Sequence, residues 1–276
     1  MSTDFQDGLD THFSKPWDAA KTGLLSERWQ QILEDVGTLA NESGRSRDAV
    51  EVLPVTKMQP DQAIQVLLDL GQRRFAENRP QEIVRKAQLF DAALDGPPIE
   101  WILIGQLQRN KARDVARYAS GFESLSSLRV AEAVNRRLET IQDTHAQTVA
   151  DSESTCDAAS PLPVLIQVNA SGEPQKSGVS VEMAPLLVDQ LSELPHLDIQ
   201  GFMTMAPHTD AEGVIRETFA TVRNLRDRLR PEWAGRFDLE KLSFGMSHDY
   251  PLAIAEGSTQ VRLGTAIFGE RTYPKR

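Results

Sequence analysis

Apolar residues recur at helical spacing near the start of the chain. Large hydrophobic side chains repeat every three or four positions from Leu25 to Leu39, and Gly44 follows as a stop signal. This pattern predicts an amphipathic first helix. Residues 1–23 mix Asp, Ser, Thr, Gly and Pro without any period. We therefore predict a flexible N-terminal extension over 1–23 and a single domain over 24–276.

Short apolar segments alternate with amphipathic helical patterns along the rest of the chain. The first is the β-branched segment ending at Thr56, which a helical pattern follows as far as Gly71. Repeated strand–helix units indicate a parallel sheet, and about eight of them favour a closed (β/α)8 barrel of the TIM type over an open doubly wound sheet. The predicted strands lie at 52–56, 74–76, 101–105, 121–124, 164–168, 197–203, 239–244 and 260–263.

One polar interval breaks this alternation. Residues 142–163, QDTHAQTVADSESTCDAASPLP, lie between a helical pattern and a strong strand and are rich in Ser, Thr, Asp and Ala. A segment of this composition carries little apolar surface to pack against a core. We therefore predict a disordered surface loop over 142–163.

The charge of the chain limits its partners. A formal net charge of -10 and a pI near 5.1 disfavour binding to nucleic acid or to anionic membranes, and the sequence shows no basic run that would offset them. Cys156 is the single cysteine, and neither it nor the histidines show metal-ligand spacing. The N-terminal residues form no continuous apolar stretch of the kind found in signal peptides. We expect a cytoplasmic protein without a metal, and a monomer.

A lysine follows the first predicted strand directly. In parallel α/β barrels the functional groups collect at the carboxyl ends of the strands, where Lys57 lies. A partly desolvated lysine there favours the neutral amine, which attacks aldehydes. From the residues alone, an ordinary surface lysine stays an open alternative.

Two glycine-containing loops follow the last two predicted strands. Ser247 comes after Gly245, and Gly264 is followed by Thr265. Backbone N–H groups and a hydroxyl in such loops can cradle a phosphate, and barrels often bind phosphate at these positions. Each loop alone could be an ordinary turn. Because the two loops follow consecutive strands, a phosphate site and a pair of ordinary turns are equally favoured.

Several segments resemble the family of pyridoxal phosphate homeostasis proteins, which are single-domain relatives of the alanine racemase barrel. The resemblance covers 25–271 and implies an alanine-racemase-like barrel (PLP fold type III) that binds pyridoxal 5'-phosphate (PLP) and serves vitamin B6 homeostasis. The segments that carry it are VLPVTKMQP, FAENRPQE, WILIGQLQRNKAR, VLIQVNASGEPQKSGVS and LSFGMSHDYPLAIAEGSTQVRLGTAIFGER.

The resemblance also assigns residues to the cofactor. It implies that Lys57 holds PLP as a Schiff base and that Arg262 faces the pyridine nitrogen. The remaining residues contact other parts of the cofactor: Ser247, Gly264 and Thr265 bind its phosphate, Asn78 and Met203 line its ring, and Lys176 is a second lysine near the site.

Three functions stay open at this point. A PLP carrier or regulator without strong catalysis is the leading interpretation, with amino acids or PLP-dependent apoenzymes as further partners. The alternative is a PLP-dependent racemase or lyase of low activity. A barrel racemase needs a second acid/base from a C-terminal β domain, and because the chain ends at Arg276 we expect that domain to be missing. A barrel that binds another phosphorylated small molecule is the third.

Overall fold

Strands and helices alternate along the chain, as the apolar pattern predicts. The computed structural model describes residues 17–91, 97–150, 160–173 and 176–270. Its strands are β1 (Glu51–Pro54), β2 (Arg74–Glu77), β3 (Glu100–Leu103), β4 (Gly121–Leu125), β5 (Leu162–Asn169), β6 (Val179–Ser180), β7 (Leu197–Met203), β8 (Lys241–Ser243) and β9 (Gln260–Leu263). Its helices are α1 (Ala19–Glu42), α2 (Asp61–Asp69), α3 (Pro80–Asp91), α4 (Ala112–Tyr118), α5 (Leu128–Ala150), α6 (Ala184–Ser192), α7 (Glu212–Trp233), α8 (Tyr250–Ala255) and α9 (Thr265–Phe268), with a 3₁₀ turn at Arg109–Lys111.

The strands form a parallel barrel. Their order in the sheet is β1-β9-β8-β7-β5-β4-β3-β2, and the short β6 pairs with β5 outside this path. The two ends of the order meet through a parallel bridge between Val55 and Ala76. The predicted barrel is therefore confirmed, with its seam between β1 and β2.

Hydrophobic side chains occupy two regions. The larger cluster lies between the strands and the surrounding helices and includes Phe75, Trp101 and Phe90. A small cluster that contains only strand residues fills one part of the barrel interior, with Leu53 and Val55 among its members. Most of the remaining interior side chains of β4, β8 and β9 are polar, and these form the candidate site described below.

Two boundaries differ from their predicted positions. Helix α1 begins at Ala19 because the side chain of Asp18 caps it by accepting the N–H of Ala20 at 3.0 Å. Part of the predicted extension is therefore helical, and residues 1–16 lie outside the described residues. Helix α5 continues through the first residues of the predicted loop to Ala150, and β5 starts at Leu162. Polar side chains are compatible with the solvent face of a helix, and residues 151–159 lie outside the described residues.

Two further findings concern only the described residues. No helix among them combines the length and the apolar character needed to cross a membrane. Within the same residues, no three His, Cys, Asp or Glu side chains form a group that could hold a metal ion.

Candidate functional site

Lys57 lies in a tight turn at the carboxyl end of β1. The N–H of Gln59 donates to the carbonyl of Thr56 at 3.0 Å, which closes the turn around Lys57 and Met58. Met58 has a φ of 62°, a left-handed conformation that strains a residue with a Cβ by about 1–2 kcal/mol. Val55 belongs to the small interior cluster, and Lys57 follows it by two residues in the turn that leaves this edge of the barrel. The structure thus places the half-buried Lys57 at the mouth of the barrel.

The loop that follows β9, the last strand, lies next to this turn. Strands β1 and β9 are parallel neighbours, with Pro54 opposite Leu263. Because both strands run in the same direction, Gly264 and Thr265 leave β9 at the edge where Lys57 leaves β1. The amine and the second predicted phosphate loop are therefore adjacent in the barrel.

Ser247 connects the two predicted phosphate loops. Its Oγ accepts the N–H of Ala266 at 3.1 Å and the N–H of Gly264 at 3.4 Å. The preceding Gly245 has a φ of 99°, and a Cβ at this position would lie 2.6 Å from the Cβ of Ala253. Only glycine fits this turn, which aims the chain from β8 towards the loop after β9. The result is a cluster of backbone N–H groups and one hydroxyl, a combination suited to phosphate oxygens.

Arg262 lies buried in the barrel, with 4% of its surface exposed. Its Nη1 donates to the carbonyl of Ser243 at 2.6 Å and to the Ser243 Oγ at 2.7 Å, and its Nη2 donates to the carbonyl of Thr204 at 2.9 Å. Burial lowers the pKa of the Arg262 guanidinium, while the negative charges of Glu123 and Asp249 oppose that shift. The guanidinium remains charged, because an arginine does not give up its proton in a protein.

A buried carboxylate balances this charge. The Oε2 of Glu123 accepts the Ser243 hydroxyl at 2.7 Å, and its Oε1 accepts the side-chain amide of Gln260 at 2.6 Å. The amide of Gln260 also donates to the Ser243 Oγ at 2.9 Å. Ser243 therefore links Arg262 to Glu123, and the network fixes the orientation of the guanidinium.

The sequence analysis did not identify Glu123, Ser243 and Gln260. These residues belong to β4, β8 and β9, and their proximity depends on closure of the barrel. One signal was available, because a carboxylate inside a short apolar strand such as β4 needs a buried partner. No pattern in the sequence names that partner.

The structure places the other predicted residues around the same edge of the barrel. Asn78 directly follows β2, and its carbonyl oxygen would lie 2.0 Å from a Cβ added to Gly105, so these two loops are in close contact. Met203 is buried at the end of β7. Lys176 lies in the loop between β5 and β6, where its Nζ pairs with the Glu173 carboxylate at 3.4 Å.

Sequence comparison finds relatives along nearly the whole chain. The family profile described as "Alanine racemase, N-terminal domain" matches residues 30–272. The pyridoxal phosphate homeostasis protein of Haemophilus influenzae is 35% identical over 242 residues, which cover 88% of this chain and 94% of that protein. The chain therefore matches such relatives as a whole.

Comparison with solved structures gives the same result. A protein of unknown function from Bifidobacterium adolescentis superposes with a TM-score of 0.76 at 31% identity, covering 91% of this chain and 97% of that one. PipY of Synechococcus elongatus, solved with PLP bound, superposes with a TM-score of 0.67 at 31% identity, covering 80% of this chain and 93% of PipY. The similarity extends over the barrel that carries the candidate site.

Proposed function

Because the chain belongs to the alanine racemase N-terminal domain family, and within it to the pyridoxal phosphate homeostasis proteins, we propose that it binds PLP and serves PLP homeostasis. The family assignment supports the cofactor, since PipY, a structural relative, has been solved with PLP bound. The observation that carries the proposal for this chain is the turn of Lys57 beside the N–H cluster at Ser247 and Gly264. An amine and a phosphate-binding loop at neighbouring strand ends match the aldehyde and the phosphate group of PLP.

Lys57 is the proposed covalent anchor. Its Nζ adds to the aldehyde carbon of PLP, a C=N bond forms, and the carbonyl oxygen leaves as one molecule of water. Addition of water reverses the step, and another amine can displace Lys57. The resulting Schiff base is covalent and still reversible, which suits a protein that stores and releases its cofactor.

The N–H groups of Gly264 and Ala266 hold the Ser247 hydroxyl at the proposed phosphate position. Held in this way, the Ser247 hydroxyl can donate a hydrogen bond to a phosphate oxygen without a positive side chain. Thr265, at the start of α9, supplies a second hydroxyl in the same loop. We propose that these residues bind the phosphate, and that Asn78 and Met203 line the ring.

Arg262 determines the electronic role that we propose for the site. A guanidinium donates hydrogen bonds and does not give up its proton, so it keeps a neighbouring pyridine nitrogen unprotonated. A bound PLP supplies an electron sink for carbanions, and this sink is weak when the ring is neutral. The buried network with Ser243 and Glu123 keeps Arg262 in place for this role. We therefore propose a carrier or regulator with little catalysis.

The two tyrosines that the structure describes, Tyr118 and Tyr250, support the same proposal. Racemisation needs a second acid/base opposite the lysine. The hydroxyl of Tyr118 receives a hydrogen bond from Gln88 at 3.1 Å on the outer helices. Burial and the charge of Asp35 on α1 raise the pKa of Tyr250. The raised pKa disfavours Tyr250 as a base at neutral pH, and Tyr118 lies on the outer helices.

A spectroscopic experiment tests the anchor. Purified protein is mixed with PLP, its visible absorption is recorded before and after borohydride reduction, and the modified peptide is identified by mass spectrometry. We expect an absorption band that reduction traps on the Lys57 peptide and that Lys57→Ala lacks, whereas the matched variant Lys176→Ala retains it. An unchanged band in Lys57→Ala, or no band in the wild type, would contradict the proposal.

We also propose where the protein acts and in what form. A single cysteine suits a reducing compartment, so the cytoplasm is the proposed location. A monomer that exchanges PLP with amino acids or with PLP-dependent apoenzymes is the simplest arrangement for a carrier. Sedimentation analysis tests the monomer, and transfer of labelled PLP to an apoenzyme tests the exchange.

A further inference from the structure

A lysine of helix α3 is buried behind the turn that carries Lys57. The side chain of Lys86 is 1% exposed, although lysines are almost never fully buried without a partner. Its Nζ donates to the carbonyl of Thr56 at 2.9 Å and also contacts the carboxylate of Glu77, which is fully buried. The pair therefore lies between the barrel wall and α3, directly against the end of β1.

Thr56 joins this pair to the turn. Its hydroxyl donates to the Oε1 of Glu77 at 2.7 Å, and its carbonyl accepts both the ammonium of Lys86 and the N–H of Gln59. The carbonyl of Thr56 is thus the first hydrogen-bond acceptor of the turn that presents Lys57. Lys86 fixes this carbonyl from behind.

The pair of Lys86 and Glu77 lies at the seam between β1 and β2, where the barrel closes. At the seam between β1 and β2, the described backbone pairing is the Val55–Ala76 bridge and a hydrogen bond from the Thr56 N–H to the Ala76 carbonyl at 3.0 Å. Ladder length varies around the barrel: β1 and β9 pair over Glu51–Pro54, whereas β8 and β9 share the single register pair Ser243–Gln260. Side chains of Thr56, Glu77 and Lys86 therefore add contacts at a wall where the backbone pairing is short.

A purely structural role explains this arrangement poorly. A buried ion pair often stabilises a fold no better than apolar residues of the same volume, because both charges lose their hydration. The Oε2 of Glu77 is buried and has no hydrogen-bond partner among the described residues, which adds to the cost. The neighbouring Met58 holds a left-handed φ, and such strain persists only where surrounding contacts enforce it.

We infer that Lys86, paired with Glu77, is a positioning residue that holds the strained turn so that the Lys57 amine meets the cofactor aldehyde. This inference rests on the proposed function of Lys57. It concerns the turn rather than the reacting atoms, since Lys86 contacts the Thr56 carbonyl and not the cofactor.

The test compares Lys86→Met with Arg45→Met. Arg45 is a matched control because its guanidinium also holds two carbonyls, those of Ser258 at 2.7 Å and Ile254 at 2.6 Å, near the opposite end of β9. For each folded variant, three quantities are measured: the dissociation constant of PLP, the rate of borohydride trapping on the Lys57 peptide, and the unfolding midpoint without PLP.

We expect Lys86→Met to weaken PLP binding and to slow trapping by about 10- to 100-fold, the effect of losing one hydrogen bond from a charged group. Arg45→Met should lower the unfolding midpoint and leave both PLP measurements near wild type. A merely structural role of Lys86 predicts the Arg45→Met pattern for both variants, and that result would overturn the inference.

A second variant covers the case in which Lys86→Met does not fold. Lys86→Met combined with Glu77→Gln removes the unpaired buried charge and keeps an acceptor for the Thr56 hydroxyl. If this folded double variant binds PLP as tightly as wild type, the inference is wrong; weak binding supports it. Failure of the proposed function is distinguishable, because wild-type protein would then show no trapping on Lys57 at all.

Discussion

Replacing Ser243 by alanine should destabilise the barrel through its buried charges. The Ser243 hydroxyl donates to Glu123 at 2.7 Å and accepts from Arg262 at 2.7 Å and from Gln260 at 2.9 Å. In Ser243→Ala, Glu123 keeps only the amide of Gln260, and Arg262 keeps two carbonyls. Hydrogen bonds to buried charged groups contribute about 1.5–3 kcal/mol, so we expect a loss of about 2–4 kcal/mol in the free energy of unfolding.

The matched control is Ser258→Ala. Ser258 is equally buried, and its hydroxyl lies within 2.7–3.1 Å of three backbone carbonyls, none of which carries a formal charge. Its replacement should cost about 1 kcal/mol, the contribution of a neutral hydrogen bond. Urea denaturation of both variants, followed by circular dichroism, measures the difference. Equal losses in the two variants would show that the charges of Glu123 and Arg262 do not depend on Ser243.

Two further predictions concern the loops and the response to alkali. Gly105→Ala places a Cβ 2.0 Å from the carbonyl oxygen of Asn78 and should lower the free energy of unfolding by about 1–3 kcal/mol. In the control Gly213→Ala the new Cβ meets no atom within 4 Å, so the free energy of unfolding should not fall. Similar losses for both variants in urea denaturation would contradict this prediction. Burial and Asp35 raise the pKa of Tyr250 above that of an unfolded tyrosine, so the unfolded state loses its proton first as the pH rises past about 10. The contribution of Tyr250 is therefore complete below that pH and declines above it, and Tyr250→Phe should show a smaller decline in alkaline urea titrations; an identical decline would refute the assignment.

The positions of the site residues along the chain were largely predictable. Short apolar segments ended before Lys57, Ser247 and Gly264, and the rule that parallel strands end at one edge predicted that these residues lie close together. Family resemblance added their roles. The hydrogen bond between the Ser247 hydroxyl and the N–H of Gly264 agrees with one shared site.

The supporting residues were harder to predict. Lys86 lies on α3, three residues after Ile83 and four before Phe90, both of which are buried. A lysine on the apolar face of a helix is a usable signal of a buried partner. Its partner Glu77 comes from the preceding strand, and no local pattern shows that the two side chains meet.

The two buried charged networks lie at different places in the barrel. Arg262, Ser243 and Glu123 lie inside the barrel on β9, β8 and β4, where hydrogen bonds join them. Lys86 and Glu77 lie outside the wall at the sparsely paired seam. Under the proposed function, the first network would fix the environment of the ring and the second would hold the turn of Lys57. Lys57 follows β1 at the seam with β2, whereas Arg262 belongs to β9 and is held by the carbonyls of Ser243 and Thr204, so a change at Lys86 should shift the turn of Lys57 without breaking the hydrogen bonds of Arg262.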